Sequence, residues 1–485
     1  MSTKKIIILP DSFNLERHIT QFPPEQYGFR SSLRFNIDKA YYFLGLITSI
    51  PERNHDIVTE DGFTPINQGT VRDGDKERGI KSIKDIKQYI DYLINTGVIL
   101  RNNMYIVGKK SYGYKWATQD RICRFFAKII DCKYADDINR LYAKQYADYP
   151  YLFHWYQQNR LAIYETAEDY AFHLYQEKMN DSTKESWDLN NKGEKKNPES
   201  QYRSAIMNIA KIKNCLYEAH IDYKVHRLHS AFTGLGKKYR RFVTYDGERL
   251  VGIDIKNSQP YITSLILNKE FWSFESSLPL SINTLSPLVR SFLLPLKSIL
   301  YSPVSLIDDY FNSVEESDFT EYKNMVSSGR FYEKIVEIVR GLGETITRDK
   351  AKILMFYTIY SSNRLSQDPF LKQMKNIFIE LFPQVAKLFK IIKREFKMFS
   401  NIEVFKGRQH FRLALLLQSI ESQIILHKCC KRIWEEGNHQ VPIFTIHDNI
   451  VTTVGNENFV TRIMQEEFER YIGIAPPLSP PEIWE

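Results

Sequence analysis

Two short apolar stretches each place one acidic residue where a β-strand is expected to end. Residues 250–253 predict a short buried strand with Asp254 at its carboxyl end. Residues 441–453 predict two strands joined by a turn that carries Asp448 at its tip. Mg²⁺ is bound by few carboxylates together with phosphate oxygens, so these two residues on adjacent strands could hold two Mg²⁺ ions against a triphosphate. Either stretch alone is explained equally well by a strand-end aspartate without a chemical role.

A third segment spaces two cations and two aromatic rings four residues apart, at Arg348, Lys352, Phe356 and Tyr360. A step of four residues turns an α-helix by about 400°, which predicts one stripe of side chains along a helix. The cations could bind phosphates and the rings could stack on a base. The alternative is an ordinary amphipathic helix with solvated cations and an aromatic core edge.

In order and residue type, these segments resemble the motifs of the family A DNA polymerases and the related single-subunit, phage-type RNA polymerases. Motif A of that superfamily is a strand-end aspartate, motif B is an Arg-x3-Lys-x7-Tyr helix, and motif C is a His-Asp pair in a hairpin. The resemblance covers residues 225–485. The matching residues are Asp254 for motif A, Arg348, Lys352 and Tyr360 for motif B, and His447 and Asp448 for motif C.

The resemblance implies an α+β fold of the right-hand polymerase type, with an antiparallel palm sheet and helical fingers and thumb. The palm is expected at residues 225–270 and 386–485, and the fingers at 271–385. A helical thumb-like region is expected at 121–224. A winged-helix-like domain is expected at 1–120.

The resemblance also implies roles for individual residues. Asp254, Asp448 and the backbone carbonyl of Ile255 would hold two Mg²⁺ ions, for which Mn²⁺ is an alternative. Arg348 and Lys352 would neutralise the β- and γ-phosphates, and Lys352 could protonate the leaving group. Phe356 and Tyr360 would stack on the incoming base. Gln259 would contact the sugar, and His447 would position the primer terminus.

Motif A departs from the family pattern, and this leaves the choice of sugar open. Without a gap, Gln259 falls where DNA polymerases place the glutamate that helps to exclude a ribose 2′-hydroxyl, and phage-type RNA polymerases have a small residue there. With a shift of two residues, Ser258 and Gln259 match the family's Ser-Gln and Tyr261 takes the glutamate position. Ser361 also replaces the glycine that usually follows the motif B tyrosine.

Basic residues upstream of Asp254 predict contacts to the primer–template. The family carries an Arg/His/Thr-rich segment here, which Arg227 and His229 match. The densest cationic cluster of the chain follows, and it predicts contacts to a nucleic-acid backbone, with a solvated basic turn as the alternative. Gln418 and Glu421, on a predicted helix at 413–434, are further candidates for contacts to the template and the nascent pair, with a buried helix as the alternative. The cluster consists of Lys237, Lys238, Arg240 and Arg241.

The N-terminal region predicts a helix at residues 81–95, capped by Ser82, and then a two-stranded basic hairpin. This order resembles a winged helix of replication and regulatory proteins. Lys109, Lys110 and Lys115 could contact DNA phosphates. A solvated hairpin in an ordinary α+β domain is the alternative.

Composition excludes several classes of protein. The chain has 485 residues and a net charge of +8, which favours a polyanionic partner. No apolar run approaches the roughly 18 residues of a membrane helix, so no membrane partner is expected. The five cysteines form no Cys-x-x-Cys pair, which fits a reducing cytoplasm.

The resemblance implies a template-directed nucleotidyltransferase, foremost a DNA polymerase, acting on a DNA primer–template (or RNA) and nucleoside triphosphates. No Asp-x-Glu strand typical of a proofreading exonuclease is found upstream. A winged helix joined to such a core suggests service to a mobile element or phage-type system. Two alternatives stay open: a primase or RNA polymerase of the same superfamily, and a non-enzymatic DNA-binding replication initiator.

Overall fold

The computed structural model describes residues 3–30, 34–75, 80–104, 106, 111–118, 120–134, 142–190, 193–223, 225–287, 289–290, 303–314, 317–341, 343–364, 366, 368–394 and 411–485. Contacts group the chain into two compact units. Unit 1 comprises Met1–His220, His229–Glu248 and Trp484–Glu485, and unit 2 comprises Ile221–Leu228 and Arg249–Ile483. The five-part division expected from the sequence remains a prediction.

Unit 1 is built on one central helix that is buried along nearly its whole length, α8. This helix packs against α2, α7 and a ribbon formed by β1 and β5, which pair antiparallel along their full length. The helices are α1 (Leu15–Gln21), α2 (Ile37–Arg53), α3 (Gln68–Asp73), α4 (Ile86–Asn95), α5 (Ala143–Asp148), α6 (Pro150–Gln157), α7 (Thr166–Asn180), α8 (Pro198–Lys213) and α9 (Ala231–Gly234). The strands are β1 (Thr3–Pro10), β2 (Thr64–Pro65), β3 (Ile99–Arg101), β4 (Gly113–Trp116), β5 (Phe125–Cys132), β6 (Leu161–Ile163) and β9 (Val243–Tyr245), with β7 (His220–Ile221) and β8 (Leu228–His229) where the chain passes between the units.

The region expected to hold a winged helix contains helices α2, α3 and α4 and a three-stranded antiparallel sheet in the order β2-β4-β3. The helix predicted from residue 81 begins only at Ile86, and Asp85 rather than Ser82 stands at its N-cap position. The Ser82 hydroxyl donates to the Arg72 carbonyl at 2.6 Å, and the Ile83 N–H donates to the Val71 carbonyl at 3.0 Å. These bonds tie the segment to α3, so it cannot start a helix.

The predicted basic hairpin is only partly covered by the described residues. Lys109 and Lys110 lie outside them. Lys115 lies on β4, where its ammonium group sits 4.6 Å from the centre of the Phe63 ring and donates to the Asp61 carbonyl at 3.1 Å. This lysine is therefore already engaged within unit 1.

Unit 2 combines an antiparallel sheet with helices packed around α10 and α18. In the sheet, β12 lies between β11 and β10, and β13 pairs with the other edge of β10. The strands are β10 (Glu248–Asp254), β11 (Ile443–Ile446), β12 (Asn449–Thr453) and β13 (Glu482–Ile483). The helices are α10 (Ser258–Ile266), α11 (Lys269–Trp272), α12 (Pro303–Ser313), α13 (Ser317–Ser327), α14 (Phe331–Gly341), α15 (Arg348–Tyr360), α16 (Pro369–Leu381), α17 (Pro383–Ile392), α18 (Arg412–Ile424), α19 (Lys431–Glu436) and α20 (Glu457–Ile472), with a π-helical segment, Ile425–Cys430, joining α18 to α19.

The chain is thus a mixed α and β protein with an antiparallel sheet, as the sequence predicted at that level. Among the described residues, no helix is both long enough and apolar enough to cross a membrane.

Candidate active site

The sheet of unit 2 brings the two predicted aspartates to one edge. Strands β10 and β12 pair antiparallel with Asp254 opposite Asn449, and Asp448 immediately precedes Asn449 in the turn after β11. The turn is tight because His447 adopts the left-handed conformation, with φ of 57°. The strands and the hairpin predicted around these residues are therefore confirmed.

A glycine in β10 allows this close strand pairing. A Cβ atom on Gly252 would lie 2.9 Å from the Asn449 side-chain oxygen, closer than any Cβ contact that a folded chain tolerates without a shift. Asn449 stands next to Asp448, so a larger residue at position 252 would require the Asn449 side chain to shift beside the acidic turn.

The segment after Asp254 is fixed by the C-terminal part of the chain. The Ser479 N–H donates to the Asp254 carbonyl at 2.8 Å, and the Lys256 N–H donates to the Pro477 carbonyl at 2.9 Å. These two bonds flank Ile255 and do not use its own carbonyl. Asn257 then turns the chain into α10 with φ of 45°, and its side chain donates to the Val326 carbonyl at 2.8 Å.

The predicted stripe of cations and rings forms along α15. The Thr347 hydroxyl caps the helix by accepting from the Lys350 N–H at 3.2 Å. The Lys352 ammonium group lies 5.7 Å from the centre of the Phe356 ring, and that ring stacks on Tyr360 with centroids 5.5 Å apart and planes 13° apart. The helix prediction is confirmed, and Lys352 is exposed to solvent.

Arg348, at the start of this helix, is held by α14. Its guanidinium group donates to the Glu333 carboxylate at 2.7 Å and lies 5.6 Å from the centre of the Tyr332 ring. Burial raises the pKa of Glu333, but the hydrogen bond and charge of Arg348, together with a backbone hydrogen bond and the charge of Arg330, outweigh burial and leave that pKa below its usual value. Half of the Arg348 side chain stays exposed, so it can still contact an anion.

One cleft of about 540 Å³ in unit 2 joins the acidic edge to the cationic helix. Seven of the residues predicted from the sequence line it, and none of these lies in unit 1. They are Asp254, Ile255, Gln259, Arg348, Lys352, Phe356 and Asp448. The cleft is therefore lined by carboxylates, by cations and by an aromatic ring.

The acidic side of the cleft carries concentrated negative charge. Burial, together with the neighbouring carboxylates of Glu421 and Asp254, raises the pKa of Asp448 well above its usual value. The nearby guanidinium group of Arg227 opposes this effect only in part. An added cation would relieve the repulsion between these carboxylates.

Glu421, on α18, organises the buried floor beside Asp448. It is 2% exposed, and one of its oxygens accepts from the Arg227 guanidinium group. The other oxygen accepts from the Ser258 hydroxyl at 2.9 Å and from the Gln259 side-chain amide. Gln259 is therefore held by Glu421, and its own side-chain oxygen is buried without a hydrogen-bond partner among the described residues.

Four further predicted residues lie in unit 2. Tyr360 continues the stripe beyond the cleft lining; burial raises its pKa, as does Glu421, and its hydroxyl interacts with Gln418. His447 is exposed in the turn beside Asp448. Arg227 is tied to the Glu421 carboxylate.

The remaining basic candidates belong to unit 1. His229 stacks on His220 with ring centroids 5.6 Å apart. The guanidinium group of Arg241 lies 4.4 Å from the centre of the Tyr170 ring, and that of Arg240 lies 5.5 Å from the centre of the Trp484 ring. Lys237 and Lys238 are both exposed, on the 3-10 helix Lys237–Phe242. Their predicted role in primer–template binding remains a prediction.

Several lining residues escaped the sequence analysis. Lys256 and Arg330 add positive charge to the cleft, and Tyr332 and Glu333 support Arg348. Glu333 and Arg348 are fifteen residues apart on different helices, and the 331–341 segment shows only an ordinary amphipathic pattern. A pairing of that kind leaves no local signal in the sequence.

The donor set fits Mg²⁺ better than a transition metal. Within the described ranges, no group of three or more His, Cys, Asp and Glu side chains is placed to hold a metal ion. Mg²⁺ retains several waters and uses one or two carboxylates plus substrate phosphates, so it does not need a protein cage. Asp254 and Asp448, mutually repulsive and open to the cleft, meet that requirement.

No protein-family model matches the chain, and no curated protein matches it. Among solved structures, the chain is similar to the POL domain of Pol1 from M. smegmatis in complex with DNA primer-template and dNTP, at 12% sequence identity and a TM-score of 0.26. The match covers 70% of this chain and 65% of that one, so the chain spans about two thirds of that domain. A TM-score this low does not establish a shared fold.

Proposed function

We propose that the cleft of unit 2 is the active site of a template-directed nucleotidyltransferase, and that the enzyme is a DNA polymerase without a proofreading exonuclease. One observation carries the proposal: a single cleft is lined by Asp254 and Asp448 on adjacent strands and by Arg348, Lys352 and Phe356 on one helix face. A nucleoside triphosphate has matching parts, namely metal-binding phosphates, excess negative charge and a flat base.

In the proposed reaction, the primer 3′-hydroxyl gives its proton to solvent water, its oxygen forms a bond to the α-phosphorus, and the bond from that phosphorus to the pyrophosphate oxygen breaks. Asp254 and Asp448, with the Ile255 carbonyl, would hold two Mg²⁺ ions. When bound, these ions favour ionisation of the 3′-hydroxyl and stabilise the leaving pyrophosphate.

The cations of α15 act on the leaving group. Arg348, fixed by Glu333, contacts the phosphates through the exposed part of its guanidinium group. Lys352 has an exposed ammonium group that neutralises developing charge and gives a proton to the pyrophosphate. The Phe356 ring supports the incoming base by stacking.

A second candidate is synthesis with ribonucleotides, as in a primase or RNA polymerase. The buried Gln259 side-chain oxygen is favourable to it, because within the described part of the chain this acceptor has no hydrogen-bond donor. A ribose 2′-hydroxyl is such a donor. The Gln259 amide is meanwhile engaged by Glu421 and so is not free to exclude that hydroxyl.

We extend the proposal to unit 1 as a DNA-binding module. The sheet order β2-β4-β3 with helices α2, α3 and α4 supports a winged-helix reading of its first part. Lys87, exposed in the first turn of α4, and the basic cluster at 237–241 offer contacts to phosphates, which position a duplex without reading its sequence.

The test is extension of a labelled primer on DNA and RNA templates, with Mg²⁺ and either dNTPs or NTPs, and with a primer-free lane. Asp254→Ala and Asp448→Ala should abolish addition while the protein stays folded. Lys352→Ala should lower the rate by about 100-fold or more with DNA binding unchanged. Lys350→Ala is the matched control, because Lys350 is exposed on the same helix but does not line the cleft.

Each result has a distinct meaning. Products from dNTPs alone identify a DNA polymerase, and products from NTPs identify the RNA-synthesising alternative. Normal extension by either aspartate variant refutes the assignment of the site. Absence of any product while DNA is still bound supports the non-enzymatic replication initiator instead.

A further inference from the structure

Unit 1 contains a cavity of about 260 Å³ that the proposed polymerase function does not use. It lies beside the central helix α8 and is lined by residues of α7, α8 and the segment 234–239. Ligand cavities span roughly 300–1,000 Å³, so this one admits a small ligand rather than a length of duplex.

Two of the aromatic side chains in the wall, Tyr175 and Tyr202, already use their hydroxyl hydrogens within unit 1. Tyr175 and Tyr202 stack with ring centroids 5.0 Å apart and planes 4° apart. Their hydroxyls donate to the backbone carbonyls of Arg121 at 3.4 Å and Phe125 at 3.3 Å. Each of these residues is 2% exposed, so what the two rings offer the cavity is a small patch of apolar surface.

A second part of the wall presents polar groups that are not satisfied. Asn208 is 2% exposed, and its side-chain oxygen is buried without a hydrogen-bond partner among the described residues, while its amide donates to the Ser204 carbonyl at 3.0 Å. A Cβ atom on Gly234, which also lines the cavity, would lie 2.7 Å from that oxygen. A side chain at position 234 would therefore clash with this buried acceptor, which a glycine avoids.

Two more polar groups face the same space. No hydrogen bond joins the Tyr239 hydroxyl or the His55 ring to another side chain or backbone group in the described ranges, and both residues line the cavity. Burial lowers the pKa of His55 to about 4, so its ring is neutral at pH 7 and has one donor and one acceptor. An acceptor, a hydroxyl and a neutral imidazole together match the edge of a heterocyclic base.

The charges of the lining leave one cation in excess. Lys178 donates to Asp188 at 2.6 Å, and Gln201 bridges both residues, so this pair is neutral as a whole. Lys238, in contrast, is exposed and forms no ion pair with any described carboxylate. An anionic group on a bound ligand would be stabilised beside it.

We propose that this cavity binds one nucleoside monophosphate unit, either as a free nucleotide or as an unpaired nucleotide of a strand. The base lies against the tyrosine rings with its polar edge toward Asn208, Tyr239 and His55, and the phosphate contacts Lys238. The site lies wholly within unit 1 and does not depend on the polymerase proposal.

The experiment is calorimetric titration of the full-length protein with 2′-deoxyadenosine 5′-monophosphate in EDTA, which removes divalent metals from the cleft of unit 2. One saturable site is expected, and Arg348→Ala should leave its affinity unchanged. Lys238→Gln should weaken binding about tenfold and Tyr239→Phe about fivefold, the effects of losing one charged and one neutral hydrogen bond. Deoxyadenosine without phosphate should bind the wild type and Lys238→Gln equally.

Lys237→Gln is the matched control, because Lys237 is the adjacent exposed lysine but does not line the cavity. The proposal is overturned if no saturable binding occurs, if both lysine variants weaken binding equally, or if Arg348→Ala abolishes it. Competition distinguishes the two sources of the ligand. Displacement by a single-stranded 12-mer, but not by its abasic counterpart, identifies an unpaired nucleotide of a strand, and a lack of displacement identifies a free nucleotide.

Discussion

Replacing Glu421 by Gln removes one charge from the most buried ion pair of unit 2 and should destabilise that unit strongly. The carboxylate is 2% exposed and serves three donors at once, on Arg227, Ser258 and Gln259. A glutamine offers one oxygen and one amide group, so it cannot accept from both sides. At least one of the three donors would lose its acceptor, and the Arg227 guanidinium group would lose its opposite charge.

The expected loss in the free energy of unfolding depends on how deeply the Arg227–Glu421 ion pair is buried. A lost charged hydrogen bond costs about 1.5–3 kcal/mol, and a fully buried broken pair costs about 3–5 kcal/mol. The Arg227 side chain is 20% exposed, so water can solvate part of its charge and the lower range applies. We expect a loss of about 2–3 kcal/mol in the free energy of unfolding, or roughly 5–10 °C in the unfolding temperature of unit 2.

Glu333→Gln is the matched control, since it makes the same change in an ion pair of similar chemistry at the surface. The side chains of Arg348 and Glu333 are 51% and 36% exposed, and exposed pairs contribute only about 0–1 kcal/mol. Chemical unfolding followed by tryptophan fluorescence compares the two variants. The reasoning is refuted if Glu421→Gln costs no more than Glu333→Gln. It is also refuted if the effects of Arg227→Gln and Glu421→Gln add without coupling, because contacting residues should couple by about 0.5–3 kcal/mol.

Three more predictions concern the cleft. The folded-state pKa of Asp448 is raised above its unfolded value, so the charge of Asp448 opposes folding increasingly as pH rises from about 4 through the folded pKa. Thermal unfolding in EDTA at pH 8 should therefore show that Asp448→Asn is more stable than the wild type by about 1–2 kcal/mol. This gain should be absent below about pH 4, and added Mg²⁺ should offset it by stabilising only the wild type. Gly252→Ala places a methyl group 2.9 Å from the Asn449 oxygen, so it should cost about 1–3 kcal/mol of stability and slow primer extension; an unchanged rate would show that the acidic turn is not held by this contact. Phe356→Ala should raise KM for the nucleotide about tenfold with a smaller change in kcat, since stacking on a base contributes about 1–3 kcal/mol; a fall in kcat alone would contradict stacking.

The parts of the site that could be predicted from the sequence are those set by local geometry. A helix repeats every 3.6 residues, so Lys352, Phe356 and Tyr360 had to share one side of any helix that contained them. The short apolar run that ends in Asp254 favours a strand over other secondary structures. These local rules do not depend on the rest of the chain, and the structure follows them.

The parts that could not be predicted depend on contacts between distant residues. Arg227 and Glu421 are 194 positions apart, and nothing near either one signals the other. The early start predicted for α4 was wrong for the same reason, because Ser82 hydrogen-bonds to Arg72 on another element instead of capping its own helix. Such partners become visible only when the chain is folded.

Holding like charges close together in the cleft lowers the stability of the protein alone. This favours a bound ligand whose charges are opposite to those of the cleft. Asp448 is held near Asp254 and Glu421, and Arg227, already engaged by Glu421, offsets their effect on Asp448 only in part. Lys352 also lines the cleft and is exposed, and within the described part of the chain it makes a cation–π contact with Phe356. A divalent cation with a polyphosphate satisfies both sides at once, because the metal neutralises the carboxylates and the phosphates neutralise the lysine. A binding protein with a decayed cleft would have no reason to retain a buried, repulsive acidic cluster, and Asp448→Asn would then stabilise it at no loss of function.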